Sequence, residues 1–288
     1  MDYADIQRTM SDTLADFVAE NDENGSKQNE DRPVEVNPTL QQSNNWVVSG
    51  EHTASGKPMV AGDPHLALSI PNRWYLARIS YPGNDIAGAF PPGALGTTMG
   101  RTPNLAFSLT YSIKDNYDLF VLTLNPNDSK QYLTDAGYRD FESRVETFHI
   151  KGKDEPVTRE YLTSHHGIVL PKEMVAAADI YDAGKVLSLA TAMQYREHNG
   201  LSLVASNRAT TVEEWMKATE MTRGLDRNVV VAHKDGDIGF IVAGSQAKRQ
   251  ATHAHAGAIP TDGGNSKNDW LGVYPQELLP RVINPASG

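Results

Sequence analysis

The 288-residue chain has room for one large domain or two ordinary ones, and its 39% apolar and 22% charged residues exclude a disordered or fibrous protein. Acidic residues outnumber basic ones, 36 against 26, for a net charge of −10 and no basic stretch, which argues against a coat for nucleic acid or an anionic membrane. No window approaches the roughly 18 apolar residues of a membrane-spanning helix, and the absence of cysteine excludes thiol nucleophiles, disulfides and thiolate-bound metals.

The opening Met1-Asp2-Tyr3-Ala4-Asp5 is acidic where a secretory leader is basic, so no export signal is legible. Ile6, Met10, Leu14, Phe17 and Val18 fall at helical spacing and predict an amphipathic helix over about residues 3–20. Asn21 to Pro33 has no apolar residue and reads as a solvated linker. From Trp46 the texture becomes β. Trp46–Gly50 and Pro58–Ala61 flank a Ser55-Gly56 turn, and Asn104–Ile113 alternates with Leu105, Phe107, Leu109, Tyr111 and Ile113 on one side. Tyr117–Leu124, Arg144–Ile150, Val157–Thr163 and Lys185–Met193 predict further strands. The clearest hairpin is Asn228–Ala243 around Asp235-Gly236. Short helices are expected over Lys172–Ala178 and from a Thr211 cap to about Arg223, and the tail from Gly257 reads as irregular. Many antiparallel strands with interspersed helices predict an α+β fold.

Motifs alone leave the chemistry open. His165-His166 and His253-Ala254-His255 lack the helical His-Glu-x-x-His spacing of a zinc hydrolase, and solvated loop histidines are the expectation. Asp115-Asn116-Tyr117-Asp118 gathers hard oxygen donors suited to calcium, yet a polar inter-strand turn has the same composition. His65, in Asp63-Pro64-His65, is either an orienting group or a structural residue at a strand end. There is no Gly-x-Ser-x-Gly elbow, phosphate loop or dinucleotide fingerprint.

An ordered series of segments is more specific. Ser43-Asn44-Asn45-Trp46-Val47-Val48-Ser49-Gly50, Ala54-Ser55-Gly56-Lys57-Pro58 and Gly62-Asp63-Pro64-His65-Leu66 are followed by Pro91-Pro92-Gly93, Gly100, Leu105-Ala106-Phe107 and Asp115–Asp118. Then come His166-Gly167, Asp235–Gly239, Asp269-Trp270-Leu271-Gly272 and Leu279–Pro285. Over about residues 43–288 this series resembles the start of the mature β chain of the penicillin acylase family, which includes cephalosporin and acyl-homoserine lactone acylases. The resemblance implies an N-terminal-nucleophile (Ntn) hydrolase with a four-layer αββα sandwich, here incomplete at both ends. Residues 1–42 would be the end of an α chain plus a spacer peptide, and residues 43–288 the N-terminal portion of the β chain.

In that family a precursor cuts itself before a serine. Carried over, the cut falls between Gln42 and Ser43, with Gln42 where the family often has glycine. Ser43 becomes the nucleophile and its α-amine the base. A terminal amine with a reference pKa of about 7.7–8.0 is largely available for that task near neutral pH. The resemblance places the Tyr111 backbone N–H in the oxyanion hole, His65 beside the nucleophile as an orienting and oxyanion group, and an Asn beyond Gly288 as second donor. Asp115, the Tyr117 carbonyl and Asp118 match family calcium ligands, so a structural calcium ion is implied and no organic cofactor. Leu66, Leu68, Ile70, Trp74 and Tyr111 are the expected pocket walls. Gly100-Arg101-Thr102-Pro103 departs from the more usual Gly-His-Asn-Gly/Asp near the site.

The expected activity is cleavage of an acyl group from a β-lactam-type or other N-acyl amine through a Ser43 acyl-enzyme. The partners would be the small-molecule substrate and the α chain, with no nucleic acid or membrane, in the family's periplasmic or extracellular setting. The alternative is an inactive remnant that only binds acyl ligands or calcium.

Overall fold

The computed structural model describes residues 42–66, 69–174, 178–195, 199–222 and 226–288. The predicted helix over 3–20 and the linker after it lie outside the described residues. The strands in chain order begin with β1 (Gln42–Val48), β2 (Met59–His65), β3 (Tyr75–Tyr81), β4 (Asn84–Phe90), β5 (Met99–Arg101) and β6 (Leu105–Thr110). They continue with β7 (Tyr117–Asn125), β8 (Asp128–Thr134), β9 (Gly137–Asp140), β10 (Glu142–Phe148), β11 (Val157–Thr163), β12 (Ile168–Val169) and β13 (Lys185–Thr191). Last come β14 (Arg227–His233), β15 (Ile238–Ala243), β16 (Ala247–Arg249), β17 (Thr261–Asp262), β18 (Trp270–Val273) and β19 (Arg281–Ile283). The α-helices are α1 (Ala178–Asp182), α2 (Asn199–Ser206) and α3 (Val212–Glu220).

The described chain forms two compact units, one from residues up to 114 with 195–246 and 273–288, the other from 115–194 and 247–272. In the unit that carries Ser43, a seven-stranded sheet runs β19-β15-β14-β6-β5-β4-β3. Alternation decides its two faces. Leu105, Phe107 and Leu109 of β6 and Val229 and Val231 of β14 turn to one side, where they pack with Val212, Trp215 and Met216 of α3. The Phe107 and Trp215 rings lie 5.1 Å apart. Gly239 of β15 lets the helix approach, since a Cβ there would fall 2.7 Å from Val212 Cγ1. α3 starts where the sequence predicts: the Thr211 hydroxyl accepts from the Glu214 N–H at 3.1 Å, and Glu214 reaches back to the Thr210 N–H at 2.9 Å.

The other unit is built on an extended sheet ordered β10-β11-β12-β13-β7-β8-β9, with β17 joining β7 in parallel. β7 is buried on both faces: Val121 packs with Leu187 and Ile180 of α1, while Leu122 packs with Tyr132 and Phe141. β16 and β18 form a separate two-stranded ribbon.

Two expectations need correction. The tail after Gly257 is not irregular throughout, because β17, β18 and β19 form short pairings with residues distant in sequence. Of the helix expected over Lys172–Ala178, Lys172–Met174 is a 3-10 turn and Ala178 opens α1, while residues 175–177 lie outside the described residues.

Candidate active site

The site lies at the end of the seven-stranded sheet where β6 finishes and β14 begins. β1 and β2 pair antiparallel, with Gln42 opposite His65, Ser43 opposite Pro64 and Val48 opposite Met59. Side-chain alternation puts Ser43, Asn45 and Val47 on one face of this ribbon, together with Val60, Gly62 and Pro64. That face rests on the sheet. Asn45 donates its side-chain amide to the carbonyls of Ser108, at 3.3 Å, and Asn228, at 3.1 Å. Gly62 makes the close approach possible, since a Cβ there would lie 1.8 Å from Ser108 Oγ.

Ser43 lines a cavity of about 290 Å³ whose walls include Leu66, Trp74, Leu109, Thr110 and Tyr111. A second cavity, of about 340 Å³, is walled by Phe107, Val229, Leu203 of α2 and Trp215 of α3. Pro91, Thr98, Leu109 and Arg227 line both. Arg227 is the first residue of β14 and is partly buried. Burial pushes its guanidinium below the ordinary value, opposed only by the Tyr111 phenol. Its neighbour Asp226 is engaged elsewhere, 3.6 Å from Lys114 Nζ.

Of the residues expected in the site, Ser43 and Tyr111 come together on one cavity, and Tyr111 directly follows the last paired residue of β6. Leu66 and Trp74 also line it, whereas Ile70 is fully exposed and Leu68 lies outside the described residues. Gln42 is the first residue of β1, so the expected cleavage point falls inside a strand of this uncut chain. His65 is placed differently from the expectation. It sits opposite Gln42, on the ribbon face away from the Ser43 side chain, and its Nε2 contacts Asp63 Oδ2 at 2.7 Å. The period of two along a strand is the reason: residues 63 and 65 share a face that position 64 does not.

The expected calcium ligands lie in the other unit. Arg249 places Nη2 3.0 Å from Asp115 Oδ1 and 2.6 Å from Asp118 Oδ1, and donates Nε to Asp118 Oδ2 at 2.9 Å. Trp270 Nε1 also donates to Asp118, and His253 Nε2 lies 3.2 Å from its Oδ2. The Asp118 side chain is 0% exposed. A guanidinium already stands between the two carboxylates, so Asp115, Tyr117 and Asp118 do not fit a calcium ion as arranged.

Of the histidines expected to be solvated, His255 is exposed as expected, but the others are wholly or partly buried. His166 and His253 are buried, and His166 stacks on Phe120 with ring centroids 3.7 Å apart. Its Nε2–H donates to the Gly263 carbonyl at 2.9 Å. Burial foremost, and then the neighbouring His165, push the His166 pKa from 6.5 down to about 3. The Tyr132 hydroxyl accepts from the His165 backbone N–H at 3.1 Å and meets His165 Nδ1 at 2.9 Å. The opposite nitrogen, Nε2, is 3.4 Å from Asp269 Oδ1. These rings were misread because spacing alone does not reveal that β7 and the 261–269 segment close over them. Sequence reasoning also missed Arg227, Thr98 and Trp215 as cavity residues. The available signal was an arginine at the head of the apolar run Val229-Val230-Val231-Ala232.

The structure is similar to the thermostable penicillin G acylase of Alcaligenes faecalis, with a TM-score of 0.69 at 20% identity, over 85% of this chain and 42% of that one. The fold is that of the Ntn hydrolases, α+β as expected. A family profile, penicillin amidase, matches residues 2–288, and the chain belongs to that family. Among curated relatives, acyl-homoserine lactone acylase QuiP of Pseudomonas aeruginosa is 29% identical over 252 residues, 85% of this chain and 29% of the relative. Penicillin acylase 2 proenzyme of Pseudomonas sp. strain SE83 is 28% identical over 250 residues, 85% of this chain and 30% of the relative. Penicillin G acylase of Escherichia coli is 25% identical over 250 residues, 85% of this chain and 28% of the relative. The chain therefore spans less than a third of the length of these three relatives.

Proposed function

We propose that the chain carries the nucleophile of an acylase, an amide hydrolase that frees its own catalytic terminus. The observation that carries this reading is that Ser43 and Tyr111 line one cavity, in a chain of the penicillin amidase family. In the uncut chain Ser43 has no free amine. Its hydroxyl attacks the Gln42 carbonyl, the Gln42–Ser43 C–N bond breaks, and the Gln42 acyl group passes to Oγ as an ester. Water then hydrolyses that ester, leaving a Gln42 carboxylate and a Ser43 with both hydroxyl and amine.

The mature residue repeats the chemistry on substrate. The amine takes the Oγ proton, Oγ attacks the amide carbonyl, and the tetrahedral oxyanion accepts from the Tyr111 backbone N–H. An Asn beyond Gly288 is the second donor in this reading. The departing amine takes up the proton, and water releases the acyl group from Ser43. His65, opposite Gln42 in the ladder, acts by positioning the segment that is cut. The substrate is an N-acyl amine or β-lactam-type amide, since the relatives' names include penicillin and acyl-homoserine lactone acylases. A second chain derived from the same precursor and a periplasmic or extracellular setting belong to the same reading. The word proenzyme in one relative's name is consistent with processing. No helix among the described residues is long and apolar enough to cross a membrane.

Mass spectrometry and amide hydrolysis with the full-length chain and its Ser43→Ala variant test this. The expected result is a terminus at Ser43 that the variant lacks, with kcat/KM reduced at least about 10⁴-fold. Continued acyl release by Ser43→Ala overturns it.

A further inference from the structure

His165, His166 and Asp269 take no part in the chemistry of Ser43, and all three belong to the unit of residues 115–194 and 247–272. The two histidines occupy the turn between β11 and β12, and Asp269 directly precedes β18. One ligand atom from each lies within 4.8 Å of the other two. Asp269 Oδ1 is 3.4 Å from His165 Nε2 and 3.9 Å from His166 Nε2. That oxygen is buried and has no hydrogen-bond partner among the described residues. A buried carboxylate oxygen without a donor costs stability, yet the fold keeps this one between two imidazole nitrogens.

Both rings are held from behind. His165 directs Nδ1 at the Tyr132 hydroxyl, 2.9 Å away, and its ring stacks parallel to that of Tyr132. With the proton on Nδ1, Nε2 turns a lone pair toward Asp269, so two acceptors face each other at 3.4 Å. His166 is stacked on Phe120, and its backbone N–H donates to Ser164 Oγ at 3.1 Å. Its Nε2 lies 2.9 Å from the Gly263 carbonyl. Only glycine allows that approach, since a Cβ at 263 would fall 2.6 Å from Leu122 Cδ2 and 3.1 Å from His166 Nε2. Donors bonded to a tetrahedral zinc ion at about 2.0–2.1 Å stand about 3.3 Å from one another. The 3.4 Å and 3.9 Å separations are near that spacing, with the Gly263 oxygen slightly inside it. Two imidazoles with one carboxylate suit a borderline transition metal, whereas calcium and magnesium take oxygen donors.

We propose that His165 Nε2, His166 Nε2 and Asp269 Oδ1 form a structural site for a divalent transition-metal ion, zinc foremost, with the Gly263 carbonyl as fourth donor. In the metal-free protein His166 donates Nε2–H to that carbonyl. With the ion bound, the neutral ring carries its proton on Nδ1, and Nε2 and the carbonyl both turn to the metal. The His165 and Asp269 side chains are 19% and 32% exposed, which gives the ion a way in. The Asp269 carboxylate supplies the negative charge, whereas Arg139 of β9, whose field reaches both rings, works against a cation. The ion clasps the β11–β12 turn to a segment that begins 97 residues beyond His166. The site is separate from the Asp115 and Asp118 carboxylates, which Arg249 engages, and it does not depend on the acylase reading of Ser43.

The test strips the full-length chain with EDTA and titrates it with zinc chloride by isothermal calorimetry. One equivalent is expected, bound at least about tenfold more weakly by Asp269→Asn and by His165→Gln. Cobalt(II) chloride should give the visible absorption of a four-coordinate ion in the parent chain and not in either variant. Zinc should also raise the urea midpoint of the parent chain and leave that of Asp269→Asn unchanged. Asp269→Asn keeps the size of the side chain, and far-UV circular dichroism with the zinc-free midpoint checks that it folds; His165→Gln serves if it does not. Absence of a bound equivalent, or binding and a midpoint shift that persist in both variants, overturns the proposal. So does zinc binding that is lost instead in His255→Gln, at the exposed histidine outside the cluster. Stabilisation by calcium chloride and not by zinc, in an Asp269-dependent way, overturns the choice of metal.

Discussion

Arg227 and Arg249 are the same side chain in two opposite situations. In its own unit Arg249 is held by Asp115 and Asp118, with Trp270 completing the acceptor side of the buried Asp118 carboxylate. In the other unit Arg227 stands on two cavities with only the Tyr111 phenol opposing the effect of burial. A guanidinium surrounded by acceptors is part of the architecture. One that meets lining donors and apolar walls is left without an acid among the described residues. The contrast separates a charge satisfied by the fold from one that is not, using partners alone and without reference to motif.

Three measurements sharpen or break this contrast. The largest effect is expected for Arg249→Gln, which leaves the fully buried Asp118 carboxylate without its guanidinium. Loss of one partner of a buried pair costs about 3–5 kcal/mol, read as a lower midpoint in urea denaturation. A loss below about 1 kcal/mol would show that Arg249 is as weakly held as Arg227.

The second concerns His166 in the same unit as Arg249. Its folded-state pKa of about 3 lies below the ordinary 6.5. Above pH 6.5 the ring is neutral in both states and contributes nothing to pH dependence. Between about 6.5 and 3 the unfolded chain takes up a proton that the folded protein refuses. Stability therefore falls as pH falls, by about 1.4 kcal/mol per pH unit from this group. His166→Gln should reduce the slope of stability against pH by about that amount; an unchanged slope would mean the ring is protonated in the folded state.

The smallest effect is expected from Arg227→Gln, whose guanidinium has no carboxylate to leave behind. Stability should change by no more than about 1 kcal/mol in either direction, by the same urea titration. A loss comparable to that of Arg249→Gln would place Arg227 in the architecture and remove the contrast.

Much of the fold was legible because it depends on local patterns. The alternation of Leu105, Phe107 and Leu109, the Asp235-Gly236 turn and the Thr211 cap each act within a few residues, and β6, the β14–β15 hairpin and α3 appear where these signals lie. Strands β3 and β4 were not predicted, although Tyr81-Pro82-Gly83-Asn84 is a turn signal between them. β3 is largely exposed, so burial left little mark on its sequence. Strands β8 and β9 escaped for a similar reason, with Tyr132 as the only buried residue in the pair. Of the candidate site, Ser43 and Tyr111 were named from the family series, while the cavity walls contributed by α2, α3 and Arg227 were not. Those residues are separated from Ser43 by more than 150 positions and meet its surroundings only through packing.

By itself the sequence determined the family and the order of most strands, since ordered motifs and short-range periodicity survive without coordinates. Only the tertiary structure decided which charges are satisfied. It put Arg249 between Asp115 and Asp118, turned His65 away from Ser43 and set Arg227 on two cavities without an acid. Neutralisation depends on distances of a few ångströms between residues far apart along the chain, and no local pattern encodes them.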